Sequence, residues 1–163
     1  MNIITAVASF QLDGPISFID IIASKEFKKF KRRGNILFIY FGCTRRKFAI
    51  LFKSGKVITL ITKTDGADQH IRRFSKKVAK RIYRANGGSG RVHDYRLRNC
   101  VVKIETHEYD QSVVIKTRNG GKVRFTPSCI IIVRYTSQEA FAEALEEAKE
   151  RYVEERLHLL NME

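Results

Sequence analysis

Three short segments, Ile36-Leu37-Phe38-Ile39-Tyr40-Phe41, Ala49-Ile50-Leu51-Phe52 and Ile130-Ile131-Ile132-Val133, are apolar at every position. Their length, their β-branched and aromatic content and the turn residues around them mark them as strands. A strand in an antiparallel sheet with helices on one face normally alternates apolar and polar residues. These do not. The sequence holds only two long helical patterns, too few to wrap both faces if they follow the sheet in chain order. The pattern predicts an α+β fold, a helix-backed antiparallel sheet with one apolar face left bare, and such a face is an interaction surface. The alternative is that both faces are covered, by a first short helix or by a second copy of the chain.

The elements fall in two similar runs. A strand from Asn2 to Phe10 is followed by the turn Asp13-Gly14-Pro15 and a helical pattern with Phe18, Ile19, Ile22 and Phe27 on one face. Lys28 to Gly34 reads as a basic turn. Strands at about Ile36–Phe41, Phe48–Phe52 and Lys56–Thr62 follow, the last two joined by Lys53-Ser54-Gly55. A helix over roughly 66–85 comes next, with Ile71, Phe74, Val78, Ile82 and Ala85 at helical spacing, Asp65 or Asp68 as its cap and Gly87 at its end. The flexible segment Asn86-Gly87-Gly88-Ser89-Gly90 divides the chain into residues 1–90 and 91–163. The second run has strands at about Tyr95–Thr106, Val113–Thr117, Val123–Thr126 and Ile130–Tyr135. It closes with a helix from Ser137 to about Leu157, with Thr136 and Glu139 as a capping box and Phe141, Leu145, Ala148 and Tyr152 buried. It lacks a counterpart of the first helix. Strand, strands, long helix thus occurs twice, as an internal repeat of architecture.

Charge separates the two runs. Residues 1–90 hold nineteen of the 31 basic residues and five of the 17 acidic ones, so they carry the whole net +14 and the remainder is neutral. An excess this one-sided points to a polyanion, and a nucleic acid before others. The outer face of the first long helix, Arg72, Arg73, Lys76, Lys77, Lys80 and Arg81, reads as a partner-binding face, whereas the closing helix is acidic outside.

Other chemistries lack their residues. Cys43, Cys100 and Cys129 are odd in number and far apart, as expected of a reducing compartment without a disulfide framework. His70, His93, His107 and His158 lack ligand spacing, so no metal and no cofactor are expected. Ser54-Gly55-Lys56 lacks the rest of a phosphate loop, and no nucleophile–base pair stands in a catalytic context, so the chain does not read as an enzyme. No apolar run is long enough for a bilayer and the first residues lack a basic leader, which fits a soluble intracellular protein.

An apolar sheet ringed by basic residues suits the DNA minor groove, whose floor carries little hydrogen-bonding information and where apolar wedges prise base steps apart. A major-groove reader needs a second helix packed against the recognition helix, and an RNA-recognition sheet needs a glycine–aromatic signature. Neither is present.

The order of elements and the segment Ile50-Leu51-Phe52-Lys53-Ser54-Gly55-Lys56-Val57-Ile58-Thr59 resemble the TATA-box-binding protein family, whose halves each carry a Phe-x-Ser-Gly-Lys turn. Asn2-Ile3-Ile4-Thr5, Leu12-Asp13 and Tyr95-Arg96-Leu97-Arg98-Asn99 also resemble that family, and the resemblance runs from residue 2 to about 157. It implies a saddle, a curved antiparallel sheet of two pseudo-repeats that straddles A·T-rich double-stranded DNA while its helices meet other transcription initiation factors or RNA polymerase subunits. It implies that Asn2 and Asn99 donate to minor-groove acceptors. Ile4, Ile50, Ile58, Leu60, Val101, Val123, Ile131 and Val133 would line the groove-facing sheet, Phe52 and Phe125 would be wedges, and Ser54 and Lys56 would meet phosphates. The sequence departs from the family at several points. The second wedge of each half falls near Asn35 and near Glu108 or Tyr109, with Phe38, Phe41 or Tyr109 as substitutes. The second turn reads Thr126-Pro127-Ser128-Cys129, and Leu60 and Val133 stand where the family has threonines. Such erosion fits a fast-evolving, virus-encoded relative, working in the nucleus or in a cytoplasmic viral factory. The competing reading is an adaptor of the same fold whose apolar sheet takes a protein partner or a second copy.

Overall fold

The computed structural model describes residues 2–42, 46–86 and 91–162. The expected flexible segment, from Gly87 on, and the expected helix end at Gly87 lie outside the described residues. In chain order the elements are β1 (Asn2–Leu12), α1 (Phe18–Ala23), β2 (Lys29–Arg33), β3 (Ile36–Tyr40), β4 (Lys47–Phe52), β5 (Lys56–Thr62), α2 (Ala67–Asn86), β6 (Val92–Glu105), β7 (Val113–Lys116), β8 (Lys122–Phe125), β9 (Cys129–Tyr135) and α3 (Gln138–Leu160).

All nine strands join one antiparallel sheet, in the order β2-β3-β4-β5-β1-β6-β9-β8-β7. The order mirrors itself about the central β1–β6 pair. Outward from it lie β5 and β9, then β4 and β8, then β3 and β7, with β2 in excess on one side. α2 packs on β1 and β5, and α3 packs on β7, β8 and β9. α1 lies against α2, its Phe18 and Ile21 joining the core formed by Leu37, Ile39, Leu51, Val57, Phe74, Val78 and Ile82. A second core under α3 gathers Val102, Ile115, Val123, Phe125, Ile132, Phe141 and Tyr152. Among the described residues the three helices therefore share one side of the sheet, and the other side is open.

Local chemistry explains most boundaries and corrects four expectations. Lys28–Gly34, expected as a turn, contains β2: Lys29 pairs with Tyr40 and Arg33 with Ile36. Gly34, at φ +57°, supplies the tight turn between them, and the charges along β2 discourage pairing with another chain at this sheet edge. In α1 the buried residues are Phe18 and Ile21, one turn apart, whereas Ile19 is 73% exposed. In α3 the cap is Ser137, whose side chain accepts from the Ala140 amide at 3.1 Å, in place of the expected Thr136. The α3 stripe is Phe141, Ala144, Ala148 and Tyr152, with Leu145 half-buried at its margin.

A polar cluster ties the two halves together beside the central strands. The Arg91 amide donates to Asp13 at 3.1 Å, His93 also pairs with Asp13, and the Tyr83 hydroxyl donates to the Arg91 carbonyl at 2.8 Å. The Arg91 amide bond and then His93 hold the Asp13 carboxyl below its ordinary range, so it stays ionised. Cys100 and Cys129 are free and buried, and burial pushes the Cys100 thiol up to about 11, which makes it a poor nucleophile at neutral pH.

Candidate nucleic-acid interface

Alternation along each strand decides what the open side presents. In β3, Leu37 and Ile39 are buried under the helices while Ile36, Phe38 and Tyr40 face out. Register carries the same division into β4 and β5. Ile36 pairs with Phe52, Phe38 with Ile50, Tyr40 with Phe48, Ile50 with Ile58 and Phe48 with Leu60. Ala49, Leu51, Val57, Thr59 and Ile61 lie on the helix side. The first half of the open face is thus a continuous apolar and aromatic sheet of half-buried side chains. Its rim is basic: Lys29, Lys31 and Arg33 on β2 pair with the outward residues of β3 and share their face. Lys56 stands beside Phe52, its ammonium 5.9 Å from the ring centre.

The turn that presents Phe52 and Lys56 is held by the end of β1. Gly55 donates to the Phe52 carbonyl at 3.0 Å, Leu12 donates to the Gly55 carbonyl at 2.9 Å, and Gln11 Nε2 donates to the Ser54 carbonyl at 2.9 Å. Gly55 sits at φ +94°, and a β-carbon there would lie 2.5 Å from the Gly14 carbonyl oxygen. Only glycine fits.

The second half differs. The strand pair β8–β9 closes through Thr126-Pro127-Ser128-Cys129, with Phe125 opposite Ile130, whereas in the first half Leu51 lies opposite Val57. Residues 126–129 therefore make a turn one residue shorter than residues 52–56. Thr126 closes it, its amide donating to the Cys129 carbonyl at 2.9 Å and its Oγ1 accepting from the Cys129 amide at 3.1 Å. A one-residue change of register turns every side chain of a strand to the other face. Val123 and Phe125, expected on the groove-facing side and in Phe125's case as a wedge, are both 0% exposed on the helix side. Phe125 packs against Tyr109 and Tyr152 at 4.7 and 5.0 Å. Lys122 and Arg124 take the open face instead, opposite Val133 and Ile131.

The remaining expected residues distribute as follows. Ile50, Phe52, Lys56, Ile58 and Leu60 form one contiguous group on the open face, with Ser54 at the turn tip. Val101 pairs with Val133, and Lys103 with Ile131, so Val101, Ile131 and Val133 form a second, smaller group. Asn2, on β1, lies opposite Lys103, and Asn99, on β6, lies opposite Val7. Ile4 is the extra residue of a bulge. Of the substitutes for the second wedges, Phe38 faces out. Phe41 lies on the helix side against Phe27 and Phe74, and Tyr109 is half-buried against the second core.

Sequence reasoning missed the aromatic pair Tyr40–Phe48, the β2 rim and a basic group on β6. Arg96 and Arg98 line a hollow of about 230 Å³ with Ser9, Gln11 and Lys56, and Arg98 donates to Ser9 Oγ at 2.6 Å. The signals were present as alternation: Lys29-Phe30-Lys31, Tyr95-Arg96-Leu97-Arg98 and Lys122-Val123-Arg124-Phe125 each put charge on one face and apolar side chains on the other.

Compared with known proteins by sequence, the chain matches no family model and no curated protein. Compared by structure, it superposes on Methanococcus jannaschii TBP with a TM-score of 0.69, over 90% of this chain and 94% of that one, at 16% identity. The fold is that of TBP. The TBP-like saddle accounts for the mirrored strand order and for helices confined to one side. On its helix side α2 presents Arg73, Lys76, Lys77 and Lys80 to solvent. Two of the expected partner-binding residues also make contacts within the chain. Arg72 stacks over Tyr95 at 5.7 Å, and Arg81 stacks over Phe27 at 4.7 Å and pairs with Glu26 at 3.6 Å.

Proposed function

We propose that this chain is a TBP-like transcription initiation factor that binds double-stranded DNA through the open face of its sheet, in the minor groove of A·T-rich sequence. The observation that carries this reading is the face itself, apolar at its centre, basic at its rim and, among the described residues, crossed by no helix. Apolar contact suits a groove floor of sugar and base edges, and rim cations add sequence-independent affinity at the phosphates. Phe52, at the end of β4 with Lys56 beside it, is the wedge. Asn99 is half-buried with its Oδ1 inward and unpartnered. Its amide nitrogen is then the group left for a ligand, and minor-groove edges of A·T pairs offer acceptors. The mirrored runs, residues 1–90 and 91–163, act as two repeats about the midline, and promoter DNA places the protein in a nucleus or a viral factory.

Anisotropy titration of an A·T-rich duplex against a G·C-rich one tests this directly. A steep fall of affinity with salt and a preference for the A·T-rich duplex are expected. Phe52→Ala is expected to weaken binding by about tenfold to a hundredfold, since one aromatic–base contact contributes about 1–3 kcal/mol. Duplex affinity near zero and flat with salt would instead assign the apolar face to a protein partner or a second copy.

The basic face of α2 is the surface for an acidic partner in the initiation machinery. A hollow of about 540 Å³ opens beside it, with Lys63, Lys77 and Arg81 on its wall and Phe41 and Phe74 at its base. Charge reversal at Lys76, Lys77 and Lys80 together is expected to abolish recruitment of RNA polymerase to the DNA-bound protein while the A·T preference persists. Recruitment that survives the triple reversal removes the partner role.

A further inference from the structure

The two ends of the open face are built of different chemistry, and the register of β8 is the cause. At the β4 end, Phe48, Ile50 and Phe52 face out. At the β8 end the same side carries Lys122 and Arg124. These two line a hollow of about 250 Å³ whose other walls are Val114, Ile131 and Val133. Neither cation joins an ion pair among the described residues. Among the described residues no aromatic side chain stands at this end of the open face, because Phe125, Tyr109 and Tyr152 are stacked together on the other side.

We propose that the bound duplex is held differently at its two ends. The first half inserts Phe52 and kinks the DNA, while the second half inserts nothing and takes a backbone phosphate between Lys122 and Arg124. This rests on the duplex-binding reading above and adds to it a direction. Two unpaired cations over an apolar floor attract an anion more strongly than the same cations in open water, because the low-dielectric wall screens them less. A phosphate has the charge and the size for such a hollow. A wedge, by contrast, must unstack a base step, and flexible pyrimidine–purine steps unstack most easily. With a wedge at one end only, a single flexible step orients the complex and a second one adds nothing.

Bend and salt dependence separate the two grips. The wild type is titrated with an A·T-rich duplex carrying a fluorescence-transfer pair at its ends and 2-aminopurine at one flexible step or the other. Phe52→Ala and the double variant Lys122→Ala/Arg124→Ala are measured alongside, with circular dichroism confirming that both fold. Phe52→Ala is expected to lose most of the bend and keep the salt slope. The double variant is expected to keep the bend and lower the slope by about one, since one phosphate contact contributes about 0.9. Affinity equal for one flexible step and for two, and higher than for none, supports the one-ended wedge. Unstacking at both steps within one complex, or a double variant with an unchanged slope, overturns the proposal and leaves duplex binding standing. Absence of any duplex binding by the wild type removes the parent reading instead.

Discussion

Phe125→Ala is expected to destabilise the protein by about 3–5 kcal/mol, and Phe52→Ala by no more than about 1 kcal/mol. The two phenylalanines occupy equivalent places in the sequence, each at the end of a strand and just before a turn. Their surroundings are opposite. Phe125 is 0% exposed and stacks on Tyr109 and Tyr152, which in turn pack at 5.0 Å, so truncation opens a cavity bounded by aromatic rings and the underside of α3. Phe52 lies half-buried on the open face, where water fills the space its ring leaves. Urea denaturation reads both: the midpoint falls sharply for Phe125→Ala and hardly moves for Phe52→Ala, while duplex affinity follows the reverse order. Equal costs at the two positions would place β8 in the register of β4, with Phe125 on the open face, and the one-ended wedge would fall with it.

Gly55→Ala is expected to destabilise the first half by about 3 kcal/mol or more, well beyond the cost of the same change at Gly120. Gly55 combines a φ of +94° with close approach of two carbonyls, the Gly14 oxygen at 2.5 Å and the Leu12 oxygen at 3.0 Å from a β-carbon. Both belong to backbone that is itself pinned, since Leu12 donates to the Gly55 carbonyl and Ile16 to the Lys53 carbonyl at 2.9 Å each. Gly120 has a similar φ, +78°, with nothing within 4 Å, so alanine there meets only the left-handed penalty of about 1–2 kcal/mol. Thermal unfolding of the two variants compares them. If Gly55→Ala costs no more than Gly120→Ala, the buttress from the end of β1 does not hold the turn. Where it does hold it, loss of Gly55 also lowers duplex affinity, because this turn aims Phe52 and Lys56.

Much of this protein was legible from residues taken locally. The strands β3, β4, β5 and β9 fall where β-branched and aromatic runs end at turn residues, and α2 and α3 fall where apolar residues recur at helical spacing. Ile36–Phe41 and Ala49–Phe52, apolar at both parities, required a bare face, and the structure has one. What failed locally failed because a neighbour outweighed propensity. β2 is basic at every position but Phe30, yet pairing with β3 makes it a strand.

Alternation in Lys122-Val123-Arg124-Phe125 separates charged from apolar side chains, but alignment with Ile50-Leu51-Phe52 points Phe125 to the opposite face. Ile50-Leu51-Phe52 and Val123-Arg124-Phe125 read alike, and the spacing from each phenylalanine to the next strand is the same. The first turn leans on residues 11–16, which need glycine at position 55. In the second half no helix separates β6 from β7, the Thr106 amide donates to the Ser128 carbonyl at 3.1 Å, the turn has no glycine, and Thr126 closes a shorter turn. That single residue of register, set by what packs behind the turn, decides whether a strand shows aromatic rings or charges. The sequence by itself determined a basic, helix-backed sheet with a bare face. Only tertiary packing decided that one end of the face is greasy and the other charged, because strand register depends on contacts between residues far apart in the chain.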